Sequence, residues 1–289
     1  MKILIIGNGF IAAEIILKLE SEGHEILVFS RSAKAHTLNQ QILGDIFDTE
    51  RFIKVLDWKP QVIVHTAWVT THRLYTHHAS NYIYAQFTSE FARRIIQSDV
   101  NHFIILGSCA EYGPQTGISI AGETELNPIN LYAQQKVAAF NSVKKTLENS
   151  KIRLSWLRIF QPYGPRQDRE RLIPYMITAL INGQQIELSD ISSVHDWVTT
   201  RDIASAVSYI IHNSLPIELD VGTTVGLTNI EVLRSLENII GSTNQWERIS
   251  KQSLSGNSIA VVGKESPLFK FGWSPKDSLE EGLRWVLDS

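Results

Sequence analysis

The sequence predicts an α/β protein, a doubly wound parallel sheet with helices on both faces followed by a smaller C-terminal α/β lobe. Three observations predict it. A short apolar run, Ile3–Ile6, leads directly into Gly7-Asn8-Gly9 and then into an amphipathic stretch. Short β-branched runs go on alternating with helical patterns through the first half of the chain, as βαβ units do. Beyond Tyr163-Gly164-Pro165 the texture changes, and proline punctuates the chain.

Taken in order, Ile3–Ile6 reads as the first strand, Ala12–Glu22 as a helix and Glu25–Ser30 as the second strand. Gln61–His65 and His102–Leu106 read as later strands, with a helical pattern over Asn81–Gln97 between them and another over Tyr132–Glu148. Pro162, Pro165 and Pro174 then precede a helix (Tyr175–Asn182), a short strand (Gln185–Leu188), a loop and a helix (Arg201–His212). Glu218–Val221 is expected to return a strand to the main sheet. The expected division is therefore residues 1–165 and 166–289, with about 190–225 rejoining the first unit. No repeat or low-complexity tract interrupts this plan.

At 289 residues the chain is long enough to bury a large core. Hydrophobic content of 43% and charged content of 20% are those of a globular protein. A net charge of −3 without a basic run gives no reason to expect nucleic acid or an acidic membrane surface as partner. The single cysteine, Cys109, excludes an internal disulfide framework. The first apolar stretch is too short for a secretory signal, and no run approaches membrane-spanning length, so a cytoplasmic protein is expected.

Gly7-Asn8-Gly9-Phe10-Ile11-Ala12 lies between a buried-type strand and a helix. Glycines allow backbone to approach a pyrophosphate, and the helix start offers free N–H donors and a favourable dipole. The strand–turn–helix context lifts this reading above that of an ordinary tight turn, and a Rossmann-type dinucleotide site is expected at Gly7, Gly9, Phe10 and Ile11. NAD enzymes usually end the second strand with a carboxylate for the ribose 2′-hydroxyl. Here Ser30-Arg31 follows Phe29. A hydroxyl and a guanidinium suit a 2′-phosphate better, so NADP(H) is favoured; NAD, with Arg31 a solvated surface charge, is the alternative.

Tyr132-Ala-Gln-Gln-Lys136 places a phenol and an ammonium one helical turn apart. A nearby cation favours the phenolate and draws a tyrosine toward the working range of a proton shuttle. Upstream, Ser108 opens Ser108-Cys109-Ala110-Glu111-Tyr112-Gly113.

With these motifs in this order, the chain resembles the extended short-chain dehydrogenase/reductases, whose members mostly modify nucleotide sugars. Gly9-Phe10-Ile11-Ala12 is similar to the family's Gly-Phe-Ile-Gly turn. Gly44-Asp45-Ile46 with Asp48 resembles its adenine-contacting Gly-Asp-Leu segment, and Val62-Ile63-Val64-His65-Thr66-Ala67 its strand beneath the cofactor. Asn81 matches a helix asparagine. Arg158-Ile159-Phe160-Gln161-Pro162-Tyr163-Gly164-Pro165-Arg166-Gln167 resembles Arg-x-x-Asn-x-Tyr-Gly-Pro-Arg-Gln, and Lys270–Pro275 the closing Leu-Gly-Trp-x-Pro motif. The resemblance implies Tyr132 as general acid/base at a sugar carbon, with Ser108 hydrogen-bonding the same oxygen. It implies that Lys136 holds the nicotinamide ribose and depresses the Tyr132 pKa. Asp45, Ile46, Thr66 and Ala67 join the cofactor site, and Trp68, Cys109, Gln161, Arg171 and His195 are expected on the substrate side. A homodimer through the Asn81–Gln97 and Tyr132–Glu148 helices is implied in the same way.

The departures choose among the family's reactions. Family 4,6-dehydratases carry Asp-Glu directly after the catalytic hydroxyl, where this chain has Cys109-Ala110. Family 4-epimerases usually retain NAD and carry the acidic strand end absent here. The expectation is therefore NADPH-dependent reduction of the C4 ketone of an NDP-4-keto-6-deoxy sugar, with nucleotide-sugar 4-epimerisation as the alternative. An epimerase-reductase like GDP-fucose synthase is less well matched, because Cys109 adjoins Ser108 directly and Arg171 takes its histidine's place. A non-catalytic NADP-binding protein fits less well again, since Ser108, Tyr132 and Lys136 are all present. Gln161 stands for the family's Asn, and His195-Asp196-Trp197 for an Arg-Asp-aromatic diphosphate grip; His195 reads equally as a structural residue. His65, His72, His77 and His78 lack Cys or paired carboxylate companions, so no metal is expected there. Ser108 lacks the Gly-x-Ser-x-Gly elbow of a hydrolase.

Overall fold

A computed structural model describes residues 1–33, 40–46, 48–114, 117–188, 190–242 and 259–289. The chain runs β1 (Lys2–Ile6), α1 (Phe10–Ser21), β2 (Glu25–Ser30), β3 (Gln40–Leu43), α2 (Thr49–Asp57), β4 (Val62–His65), α3 (Ser80–Ile95) and β5 (His102–Ser108). A 3₁₀ turn (Cys109–Tyr112) follows, then β6 (Ile118–Ser119), α4 (Leu131–Leu147), β7 (Arg153–Ile159), β8 (Gln161–Tyr163), α5 (Leu172–Ile181), β9 (Val194–Thr199) and α6 (Thr200–His212). The remainder is β10 (Glu218–Val221), β11 (Gly226–Thr228), α7 (Asn229–Ile240), β12 (Ile259–Val262), α8 (Pro267–Lys270) and α9 (Leu279–Leu287).

The main sheet has seven strands in the order β10-β7-β5-β4-β1-β2-β3, and every pairing in it is parallel. Its central strands read as continuous apolar runs because both faces are covered. Alternation along β1 divides the core. Ile3 and Ile5 face α1 and α6 through Ile15, Ile16, Leu19, Ile203 and Val207. Leu4 and Ile6 face α3 and α4 through Phe91, Ile95, Phe140 and Val143. Strand order reverses between β1 and β4, and the crevice outside such a switch point is where a doubly wound sheet binds ligands.

The expected strand at Glu218–Val221 is β10, which extends the main sheet beside β7. β7 itself was hidden in the sequence by Arg153 and Arg158, yet Arg158 is fully buried. A smaller sheet, β11-β9-β12-β6 with β8 alongside β9, carries α5, α7 and α9 on a separate core of Ile173, Met176, Trp197, Leu233, Leu236 and Leu283. Two expectations are corrected here. Gln185–Leu188 is not a strand: Ile186 and Leu188 are buried in that core, but the segment joins no ladder. The expected loop before α6 contains β9, whose His195 and Asp196 break the apolar pattern. Asp196 is buried because it accepts hydrogen bonds from the backbone N–H groups of Thr223, Thr224 and Val262.

Candidate active site

A cleft of about 600 Å³ opens at the C-terminal ends of β1, β2 and β4. Gly7, Gly9, Phe10, Ile11, Ser30, Arg31, Ile46, Thr66, Ala67, Trp68 and Arg171 all line it. Residues far apart in sequence are thus brought together around one cleft. Asp45 is half-buried beside Ile46 and does not line the cleft. Neither do Ser108, Tyr132 and Lys136, nor Cys109 of the 3₁₀ turn, Gln161 of β8 and His195 of β9.

The turn after β1 fits a dinucleotide for local reasons. Gly7 has φ +106°, and a Cβ there would lie 2.5 Å from the Thr66 hydroxyl, so β1 and β4 close together only on glycine. A Cβ on Gly9 would project into open space at the cleft wall, beside the start of α1. No side chain caps that helix start, which leaves its N–H groups to an anion. Asn8 lines the same wall with its amide nitrogen and oxygen both buried and unpartnered. These features fit a pyrophosphate held on backbone, with Ser30, Arg31 and Ser32 at the far end of the cleft.

Ser108 ends β5 and caps the 3₁₀ turn, accepting from the Ala110 N–H at 3.2 Å. Glu111 closes the capping box on the Ser108 N–H at 2.8 Å and pairs at 2.8 Å with Arg158, both side chains being fully buried. Gly107 is required beneath it, since a Cβ there would meet the Trp156 indole nitrogen and Glu111 Oε1. Tyr132 sits at the start of α4, just after the Asn130 cap, with Ser108 near enough to its phenol to draw the pKa down. Its ring meets the edges of Tyr75 at 5.1 Å and Trp68 at 6.4 Å between centroids.

Lys136 is buried one turn further on. Its ammonium donates to the Leu106 carbonyl at 2.6 Å and lies 3.9 Å from the Trp68 indole centroid. The expected depression of Tyr132 by Lys136 is therefore corrected. Desolvation pushes the Tyr132 phenol up, with Ser108 opposing, and the Lys136 ammonium is turned toward Leu106 and Trp68. Burial likewise pushes the Lys136 ammonium down, and the Glu111 carboxylate opposes that shift. Burial and nearby carboxylates push the Cys109 thiol up to about 12, so it stays protonated and packs with Tyr112 and Phe160.

Several contributors have partners that the sequence did not indicate. Asn81 was matched, but its task emerges only in three dimensions: its Oδ1 accepts from the Trp68 indole at 2.8 Å, and its Nδ2 donates to the Tyr75 and His78 carbonyls. Tyr75 lies in the turns after β4, where no periodicity marks a residue. Arg171 reaches across to donate to the Thr70 carbonyl at 3.0 Å, with its guanidinium 4.8 Å from the Tyr75 ring centroid. Arg166, in a left-handed conformation (φ +63°), lines the cleft and forms an ion pair with Glu14 of α1. The histidines of the β4–α3 region diverge: His65 bonds Thr88, His72 faces Glu170, and His78 bonds Ser80. His195 is half-buried, edge-on to Trp197.

Residues 3–222 match the model of the NAD dependent epimerase/dehydratase family. The chain belongs to that family. Among its relatives, a UDP-glucose 4-epimerase of Lactobacillus helveticus is 24% identical over 96% of this chain and 92% of its own. The low-salt glycan biosynthesis protein Agl12 of Haloferax volcanii is 26% identical over 70% of this chain, which spans 66% of that protein. The crystal structure of dTDP-glucose 4,6-dehydratase from Bacillus anthracis in complex with NAD superposes with a TM-score of 0.84 at 24% identity, covering 100% of this chain and 97% of that one. The epimerase/dehydratase fold is thus reproduced from end to end. Among the described residues, no helix is long and apolar enough to cross a membrane.

Proposed function

We propose that the protein reduces the C4 ketone of an NDP-4-keto-6-deoxy sugar with NADPH. The observation that carries this reading is the end of β2, where Ser30, Arg31 and Ser32 line the cleft in place of a carboxylate. A guanidinium there favours a 2′-phosphate, and an enzyme that takes NADPH works naturally as a net reductant.

NADPH, held by the Gly7-Asn8-Gly9 turn and Arg31, would supply the hydride for C4. Tyr132 gives its proton to the C4 oxygen, converting the ketone to an alcohol, while Ser108 hydrogen-bonds the same oxygen as charge develops on it. Desolvation keeps the Tyr132 phenol protonated at neutral pH, the form a proton donor needs. Lys136, one turn after Tyr132 on α4, is assigned to the nicotinamide ribose. Arg171 and His195 are assigned to the substrate side, and the α3–α4 face to a homodimer.

Cys109-Ala110 offers no acid pair for dehydration, and the protonated thiol offers no base for a Cys-dependent epimerisation. Nucleotide-sugar 4-epimerisation is the second reading, supported by the end-to-end similarity to UDP-glucose 4-epimerases. The test is Tyr132→Phe, which should retain NADPH binding by fluorescence titration and lose turnover about 10²- to 10⁴-fold. Unchanged turnover would remove Tyr132 from the mechanism.

A further inference from the structure

The opposite end of α1 carries a cluster that the reaction does not use. α1 closes at Glu22, and Gly23 follows with φ +78°, its N–H and that of His24 folding back onto the Glu20 and Leu19 carbonyls. This tight reversal sets Glu22 and His24 side by side, with the His24 Nε2 3.8 Å from a Glu22 oxygen. α6 packs against α1 and ends at His212, whose ring centroid lies 5.5 Å from that of His24. One ligand atom from each of Glu22, His24 and His212 falls within 4.8 Å of the others.

We infer that Glu22, His24 and His212 form a site for a borderline divalent cation, Zn²⁺ by preference, which staples the end of α1 to the end of α6. Two imidazoles and a carboxylate are a zinc donor set, with water completing a tetrahedron. Tetrahedral Zn²⁺ needs its donors about 3.3 Å apart. Rotation of the exposed Glu22 and His212 side chains supplies that contraction. Two further observations point to a ligand. The His24 side chain is only 9% exposed, and its Nε2 is buried without a hydrogen-bond partner. Both helices also present their C-terminal ends here, where the helix dipole favours a cation. Ser208 donates to both Glu22 oxygens, and Lys18 lies 3.0 Å from one of them. Lys18, half-exposed, has to give up this contact when the carboxylate takes a metal, and Ser208 then orients the ligating carboxylate as an outer-shell partner.

The site lies a helix length, about 18 Å, from the cofactor turn, so it acts on stability and not on chemistry. The test titrates untagged, chelator-treated protein with Zn²⁺ by calorimetry, follows thermal unfolding, and records the visible spectrum with Co²⁺. One equivalent should bind, raise the melting temperature and give tetrahedral Co²⁺ bands. His212→Gln, at an exposed position, should weaken binding at least about tenfold and abolish the thermal shift while leaving turnover unchanged. His24→Gln should do the same to binding. Absence of Zn²⁺ binding to the unaltered protein, or equal binding by His212→Gln and His24→Gln, would overturn the assignment.

Discussion

The Lys136 ammonium lies 3.9 Å from the centroid of the Trp68 indole, whose N–H is held at 2.8 Å by Asn81. A buried ammonium is penalised by desolvation, and an aromatic face returns about 2 kcal/mol when the pair is dry. Trp68 is therefore a positioning residue that helps keep Lys136 charged. Trp68→Leu should lower the Lys136 pKa further and move the corresponding limb of the pH profile of kcat/KM to lower pH. Trp68→Phe should recover part of the shift. Superimposable profiles would mean that the indole only fills space.

Arg31 should decide the cofactor. A charge-assisted hydrogen bond is worth about 1.5–3 kcal/mol, so Arg31→Ala should weaken NADPH binding at least about tenfold and leave NADH nearly unaffected. Equal weakening of both in fluorescence titrations would make Arg31 a bystander.

The Ser108 turn rests on the buried Glu111–Arg158 pair. Arg158→Met leaves a carboxylate buried without its partner and should cost about 3–5 kcal/mol in urea unfolding. Replacing both residues by methionine should cost clearly less than the sum of the single losses. Additive losses would show that the two charges do not support each other.

Asp220, buried beneath the hydroxyls of Tyr112 and Ser266, is pushed up to about 6 from 3.8, chiefly by desolvation. The folded state therefore holds more protons than the unfolded chain between these values. Its stabilising contribution is fully present below about pH 4 and is lost as pH rises through about 6. A shift of this size corresponds to about 3 kcal/mol. Asp220→Asn should flatten the fall in stability across that window, measured by denaturant unfolding at stepped pH. An unaltered slope would contradict the assignment.

Much of this was legible in the sequence, and what was not had physical reasons. Gly7, Gly9, Ser108, Tyr132 and Lys136 stand at spacings that chemistry constrains, and their motifs sit on the elements expected of them. β7 and β9 were missed because Arg158 and Asp196 interrupt apolar runs; partners distant in sequence satisfy both charges. Ile186 and Leu188 alternate like a strand, but the alternation serves packing under α5 and α7 instead of a ladder. The orientation of Lys136 toward Trp68 depends on Asn81 and the turns carrying Tyr75, which no local pattern encodes.

The most direct measurement is NADPH consumption with dTDP-, CDP-, GDP- and UDP-4-keto-6-deoxy sugars, with NADH in parallel. Stoichiometric oxidation of NADPH, faster than of NADH, with the 4-hydroxy sugar nucleotide as product, is the predicted result. Interconversion of a nucleotide sugar at C4 without net cofactor consumption would contradict it and identify a 4-epimerase.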